Sequence, residues 1–533
     1  MSFKKNKNQQ LNIFDSYLNQ SDRVKKMIKK SWCHYFSEIV FPAINEERFS
    51  VLYSGNQASR PNTPVNFIIG ALILKEINGL SDEELIASIC CDVRYQYALH
   101  TTQCQEQPVS DRTFSRFRER LYNYTLETGR DLLAEEMENL TEEFSKYMKL
   151  NSNIKRMDSL QVASRCRKMT RLELVYSTTS KAIKLIQRMN REELISEELK
   201  HYLEEDDYNK VTYYCPADEV ENQFQKIIRE AEKLRQIMDK DEFRETIEYQ
   251  LLFRVLLEQT NKDEHGNVTP KENREISANS LQNPSDPDAT YRRKAGKKYH
   301  GYVCNIVETV DEGRSLITGV NFEKNTYSDT KFCHDYLESR ENTETTEILV
   351  TDGAYESPEN LKLAKEKNVD LVTTNLNGQT VDVHFADFEI KRENEVKCPH
   401  GYTPIKTSYY ENNERWRLVF SKETCINCPH QAVCAKEEQK NSYAVNLSKK
   451  MIQRAAYLKK ISTEEFKNLC KMRNAVEGIP SVLRRKYHID EIPTFGLIRT
   501  KMFVIFKAIA YNCNKFKQYL CNPRENCLLT TKI

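Results

Sequence analysis

From Phe49 onward the chain switches between a helical and a strand-like hydrophobic rhythm, and these switches outline its architecture. Residues 1–30 are polar, with a short helix expected near Ser21 to Lys29. RPNTPVNFIIGALILKEINGLSDEELIASICC predicts two helices: Pro64 starts the first, Gly79 ends it, and Ser81 with Glu84 forms a capping box for the second. Ser110 is placed to cap another helix in VSDRTFSRFRERL, and residues 122–148 read as one long amphipathic helix. Ile154, Met157, Leu160 and Val162 mark a strand. Residues 181–260 are helical, acidic and Leu-rich, and residues 261–289 read as a polar loop with Gly and Pro breakers. A basic approach from Ala289 leads to a β-hairpin, with YHGYVCNIVETV and SLITGVNF as strands and DEGR as the turn. A helix over Thr330 to Arg340 follows, then a strand at Ile348 to Val350, a helix in PENLKLAKEKN and a strand in VDLVTTNL. The last helix, IRTKMFVIFKAIAYNCNKFKQYL, has an apolar side that should pack on the sheet.

The 533 residues allow two to four domains. Net charge is only +2, so the total says nothing about nucleic acid. Its distribution changes the picture. Residues 441–533 carry 18 Lys+Arg against 6 Asp+Glu, a net of +12, whereas residues 191–260 carry 10 against 19, a net of −9. A basic C-terminal part suits a phosphate backbone, with a solvated helical surface as the competing explanation. The polar start shows no cleavable signal, and no apolar run is long enough to span a bilayer. Sixteen cysteines without a secretion signal point to reduced thiols in a cytosol.

Three carboxylates stand in suggestive contexts. In EILVTDGAYESPENL, Asp352 sits at the carboxyl end of a strand, Gly353 allows a tight turn, and Ser357-Pro358 starts a helix. Ligands of open α/β sheets bind at that edge, although an Asp before Gly is often only a turn residue. Asp158, in NIKRMDSLQVAS, lies inside a strand, where an unpaired buried charge is costly. Glu477, in CKMRNAVEGIPSVLRRKY, lies on a helical stretch with Arg473 and Arg484 near the same face, and Pro480 should kink or end that helix. A strand Asp, a strand-end Asp and a helix Glu in this order can converge on one metal site.

With these residues the chain resembles DDE transposases of bacterial insertion sequences, in the sub-branch with a helical N-terminal domain and a cysteine-rich insertion. The matching pieces are Asp158 in MDSLQ, Asp352 in VTDGAY and Glu477 in RNAVEG. Of the family's Tyr, Arg, Glu, Lys signature, Arg473 and Glu477 are present, Cys470 takes the Tyr position, and Arg484 keeps the charge of the Lys. The resemblance implies a ribonuclease H-like mixed α/β core. Asp158, Asp352 and Glu477 would hold two Mg²⁺ ions for DNA strand cleavage and strand transfer by in-line displacement. It also implies double-stranded DNA as partner, terminal inverted repeats, a homo-oligomer on DNA and no membrane. The expected division is a tail at 1–30, an all-α DNA-binding domain at 31–147, and a catalytic core from 148–165, 290–385 and 463–520. A helical insertion with its loop occupies 166–289, a cysteine-rich insertion 386–462, and a second tail 521–533. A nuclease or resolvase that does not join strands, and a domesticated non-catalytic DNA-binding protein, remain the alternatives.

Basic residues supply candidate DNA contacts. Arg112 and Arg116 belong to an arginine-rich helix, Lys294, Lys297 and Lys298 flank the hairpin, and Arg473 and Arg484 flank Glu477. Ordinary surface charge is the plainer reading of each cluster. Cys398, Cys425, Cys428 and Cys434 form a candidate Zn²⁺ site, since the Cys425–Cys428 pair has the gap of a zinc knuckle. His400 and His430 are alternative ligands, and free thiols are the competing reading. The segment reads as poor in core residues, so a metal would staple it. Trp416 reads as a hairpin core residue more readily than as a base-stacking one.

Overall fold

A computed structural model describes residues 1–7, 17–56, 58–101, 109–110, 112–263, 267–294, 296–311, 313–341, 344–373, 381–434, 437–474 and 478–521. The N-terminal part is helical: α1 (Asp22–Lys30), α2 (Val65–Asn78), α3 (Asp82–Cys91), α4 (Thr113–Thr128) and α5 (Leu132–Met148). Local signals set most of its boundaries. Ser21 caps α1, Gly79 ends α2 at φ 67°, and Ser81 and Glu84 close a reciprocal capping box on α3. Two expectations fail here. The single helix over 122–148 is two, because Gly129 takes φ 72° as the C-cap of α4 and Asp131 caps α5. Ser110 does not cap α4; its hydroxyl meets that of Thr113 at 3.0 Å instead.

The central sheet holds β1 (Ile154–Ala163), β2 (Thr290–Lys294), β3 (Lys297–Asp311), β4 (Arg314–Lys324), β5 (Glu347–Thr351) and β6 (Val369–Thr373). Its order is β2–β3–β1–β5–β6, with β4 also paired to β3. The β1–β3, β2–β3 and β3–β4 pairs are antiparallel, and β1–β5 and β5–β6 are parallel. The basic approach from Ala289 is therefore itself a strand, β2, which folds back on the start of β3. The expected loop over 261–289 also contains a short hairpin, Thr260–Lys262 against Val268–Pro270. Gly301 is obligatory where β3 crosses the end of β1: at φ 143°, an added Cβ would lie 2.3 Å from the Val162 carbonyl oxygen.

Helices cover both faces. α9 (Asp329–Glu338) and α10 (Pro358–Glu366) bury Met157, Val303, Val307 and Leu349 on one face. On the other, Leu160, Val162, Cys304 and Ile306 join the core of the N-terminal helices. That shared core is closed by the C-terminal helix, Leu497–Leu520, which packs against β4, α2 and α5. Within it, Lys507 and Glu76 form a buried ion pair at 2.6 Å. Asn512 donates to the Ile317 carbonyl and accepts from the Ile317 N–H, both at 2.8 Å, which locks the helix to β4.

Two further bodies interrupt the sheet sequence. Between β1 and β2 stand α6 (Arg171–Arg188), α7 (Val220–Ile237) and α8 (Ile247–Gln259) around their own core. After β6 comes an antiparallel sheet built around Lys406–Tyr410, Arg415–Ser421 and Ser442–Ser448. It too has a core, of Phe385, Phe388, Trp416, Leu418, Phe420, Val445 and neighbours. The cysteine-rich segment is thus not core-poor as expected: alternating residues of two paired strands point inward together. The helices Lys449–Ile461 and Glu464–Asn474 lead back to the central sheet, where Phe466 packs with Val350 and Val372.

Candidate active site and metal centre

The strands carrying Asp158 and Asp352 are hydrogen-bonded neighbours. Ile154, Lys155 and Arg156 pair with Ile348, Leu349 and Val350, and extending this parallel register two residues brings Asp158 level with Asp352. Asp158 lies mid-strand opposite Ile306 of β3, and its Oδ1 accepts from the Ser159 N–H at 2.9 Å. Asp352 follows the last residue of β5 and caps the turn Gly353–Tyr355, with Oδ1 accepting from the Gly353 N–H at 2.6 Å. Both carboxylates are half-buried. The helix after the turn begins as expected, with Ser357 capping α10 and Pro358 in its first turn.

A buried polar network backs this edge, and sequence reasoning missed it. The Tyr355 hydroxyl donates to Asn305 Oδ1 at 2.8 Å, and the Ser159 hydroxyl donates to Asp329 Oδ1 at 2.7 Å. Burial, followed by the charges of Asp329 and Asp158, pushes the Tyr355 hydroxyl well above its usual range. It therefore stays a protonated donor. Glu356 stands at the same edge, where its Oε2 accepts from the Thr373 hydroxyl at 2.5 Å. The available signal was nearness in sequence, to Asp352 for Tyr355 and Glu356 and to Asp158 for Ser159, whereas Asn305, Asp329 and Thr373 carried none.

Glu477 lies outside the described residues. Arg473 belongs to the helix Glu464–Asn474 and Arg484 to the helix Gly478–Arg485, with residues 475–477 between them outside the described residues. Pro480 is the third described residue of the helix Gly478–Arg485, and whether it kinks or starts a helix turns on residues 475–477, which lie outside the described residues. Arg484 is tied to β1: it donates to the Gln161 carbonyl at 2.9 Å and pairs with Asp490 at 3.0 Å.

The other basic residues divide by use. Arg112 and Arg116 are exposed on or beside α4. Their neighbour Arg118 instead pairs with Asp82, and Arg120 stacks over Tyr53. Lys294, Lys297 and Lys298 are exposed at the β2–β3 turn, with Lys294 3.9 Å from Asp329.

Cys398, Cys425, Cys428 and Cys434 line one small cavity of about 30 Å³ with His384, His400 and His430. His384 Nε2 is 2.8 Å from Cys434 Sγ, and its Nδ1 is 2.9 Å from Asp382 Oδ1. The His384 and His430 rings stack with centroids 4.7 Å apart. Burial and the neighbouring Cys428, Cys398 and Cys425 push the Cys434 thiol up to about 12. The Cys434 thiol is therefore neutral unless a cation stabilises its thiolate. Soft sulfur and imidazole are the donor types Zn²⁺ takes, but among the described residues no three ligand atoms that include a cysteine lie within 4.8 Å of one another. His384 went unnoticed in the sequence because it precedes the cysteine-rich segment. Among the described residues, Asp382, His384 and His430 bring ligand atoms within 4.8 Å of one another, as do His334, Asp335 and Glu338 on the surface of α9. Trp416 is a core residue: its indole N–H donates to the Glu393 carbonyl at 3.1 Å and its ring packs on Tyr409.

Comparison with known families gives two matches, and both identify a transposase. A family described as Transposase domain matches residues 22–120, the N-terminal helices, and one described as Transposase DDE domain matches residues 397–517. Both matches support an insertion-sequence DDE transposase and a function in DNA transposition. The second match covers the four cysteines and Glu477 but not His384, and Asp158 and Asp352 lie outside both. No curated protein and no solved structure matches the chain. Among the described residues, no helix is long and apolar enough to cross a membrane.

Proposed function

We propose that the central sheet is a ribonuclease H-like catalytic core in which Asp158, Asp352 and Glu477 hold two Mg²⁺ ions and act on double-stranded DNA. The observation that carries this reading is the register of β1 and β5, which sets two half-buried carboxylates level on neighbouring strands at a ligand-binding edge. Hard oxygen donors suit Mg²⁺, which when bound polarises phosphate and activates a water or a 3′-hydroxyl. The chain's own part is positional. The Gly353 N–H and the Tyr355–Asn305 bond hold the Asp352 turn rigid, and Ser159 is fixed to Asp329 beside Asp158. Arg112 and Arg116 in the helical region 31–147, Lys294, Lys297 and Lys298 on the hairpin, and Arg473 and Arg484 near Glu477 would bind the phosphate backbone. Terminal inverted repeats are the expected DNA partner, engaged by a homo-oligomer. The thiol cavity would hold a structural Zn²⁺.

The test is Asp352→Asn, which keeps the side-chain shape but removes the charge. Cleavage and strand transfer should fall at least 100-fold, while DNA binding stays within about threefold, because phosphate contacts supply much of the affinity. Strand joining by the variant would remove Asp352 from the site. A wild type that cuts but never joins DNA would favour a nuclease.

A further inference from the structure

The thiol cavity of the sheet body has a polar end that the cysteine pattern did not foretell. His384, 5 % exposed, stands there on the short turn Val383–Asp387. Asp382 precedes the turn and holds this one residue twice: its Oδ1 accepts from the His384 N–H at 3.1 Å and lies 2.9 Å from the ring Nδ1. A carboxylate only accepts, so the ring proton is assigned to Nδ1 and the lone pair to Nε2. That Nε2 faces Cys434 Sγ, 2.8 Å away. Packing fixes the ring plane. His430 stacks on it with centroids 4.7 Å apart, and the Phe385 ring lies 4.1 Å away.

The sulfur contact is unlike the chain's other thiol contacts. Cys33 and Cys215 meet carbonyl oxygens at 3.6 and 3.7 Å, and Cys425 Sγ meets the Thr424 hydroxyl at 3.9 Å. A neutral thiol is a weak hydrogen-bond partner, which does not account for a contact of 2.8 Å. Zinc takes nitrogen at about 2.0–2.1 Å and sulfur at about 2.3 Å, so two such ligands of a tetrahedral ion lie roughly 3.6 Å apart. The pair therefore opens by roughly 0.8 Å to flank an ion. An imidazole that ligates zinc gives its other ring N–H to a carboxylate in almost every case, and Asp382 stands in that position. Cys398, Cys425 and Cys428 line the same cavity. Cys398 opens a turn closed by the Gly401 N–H, Cys425 ends the fragment Lys422–Cys425, and Cys428 lies in the turn after it, short elements that shift at small cost.

We propose that His384, through Nε2, and Cys434 are ligands of one Zn²⁺, completed by two of Cys398, Cys425 and Cys428, and that Asp382 is the positioning residue for the imidazole. The proposal rests on the zinc reading above and changes its ligand set from four sulfurs to three sulfurs and one nitrogen. The full chain is loaded with Zn²⁺ alone, freed of excess metal, and measured by X-ray absorption at the zinc edge. One nitrogen at about 2.0–2.1 Å and three sulfurs at about 2.3 Å are expected. Alkylation of the loaded protein, mapped by mass spectrometry, should find Cys434 and two other cavity cysteines protected and the remaining one modified. Zinc affinity, measured by chelator competition, should fall about tenfold or more in His384→Ala, with the nitrogen shell lost. Asp382→Ala should lower it by about 10–100-fold while the nitrogen shell stays, and Asp382→Asn, which still accepts from Nδ1, should recover part of the loss. His384→Cys should restore tight binding with sulfur alone. A four-sulfur shell in the unaltered protein, with all four thiols protected, would overturn the role of His384 and keep the zinc. A nitrogen shell that survives His384→Ala would assign it to another histidine and overturn the proposal as well. Protein that takes up no zinc would sink the zinc reading itself.

Discussion

The two bodies inserted into the central sheet sequence are held together in different ways. The helical one, between β1 and β2, buries 24 apolar side chains in its own core among the described residues, and the sheet one, after β6, buries nine. The helical body adds a closed polar network, in which Tyr176 donates to Asp207 at 2.6 Å, Tyr202 donates to Glu230 at 2.9 Å, and His201 sits between the two carboxylates. The sheet body has instead a small cavity lined by four cysteines and three histidines. Hydrophobic burial grows with the size of a body, so a small one needs a cross-link that a large one does not. If the cavity holds the proposed Zn²⁺, the first body is self-sufficient and the second depends on metal.

The largest expected effect follows from that assignment. Structural Zn²⁺ binding in small thiolate sites is worth on the order of 10 kcal/mol, so chelation should unfold the sheet body and leave the helical one intact. Limited proteolysis should then cut within 386–462 and spare 171–259. Purified protein without zinc by elemental analysis, or chelated protein with unchanged cleavage, would break the comparison. Next in size is Leu252→Ala in the helical core, which should cost about 2–5 kcal/mol by cavity formation. Hydrogen exchange should show the loss in α6–α8, with zinc content unchanged. Release of zinc would mean that the two bodies are coupled.

A smaller effect concerns acid. Burial raises the Glu232 carboxyl, but hydrogen bonds from Arg235 and Lys262 outweigh it and hold the group at about 2. A depressed folded value means that its stabilisation is complete above the unfolded value of about 4.5 and is lost as pH falls towards about 2. The helical body should therefore loosen only across that window, and Glu232→Gln should flatten the slope there. With the proposed Zn²⁺ bound, the sheet body should fail first on acidification, because thiolate ligands would take up protons in competition with the metal. An order reversed in a pH titration followed by NMR would count against the zinc assignment. The smallest effect is at the exposed Lys233–Glu198 pair, where Lys233→Ala should leave the unfolding midpoint unchanged within error.

What the sequence determined by itself was local. Pro64, Gly79 and the Ser81–Glu84 box delimit α2 and α3, and Ser357-Pro358 opens α10, because a cap acts within three or four residues of its signal. The order of strands and the corner at Asp352 were legible for the same reason. The reading failed at Gly129, a stop signal of the same kind as Gly79, and where local signals were weak: β2 hides in a basic run, and the paired strands of the cysteine-rich body give it an unexpected core. Tertiary structure alone decided which distant residues meet. Nothing near Asp158 in sequence encodes that Arg156 pairs with Val350, or that His384 reaches Cys434. Each of these meetings joins segments separated by long stretches of chain. They are fixed by the register of strands and the packing of helices over both faces of the sheet, which one-dimensional periodicity does not contain.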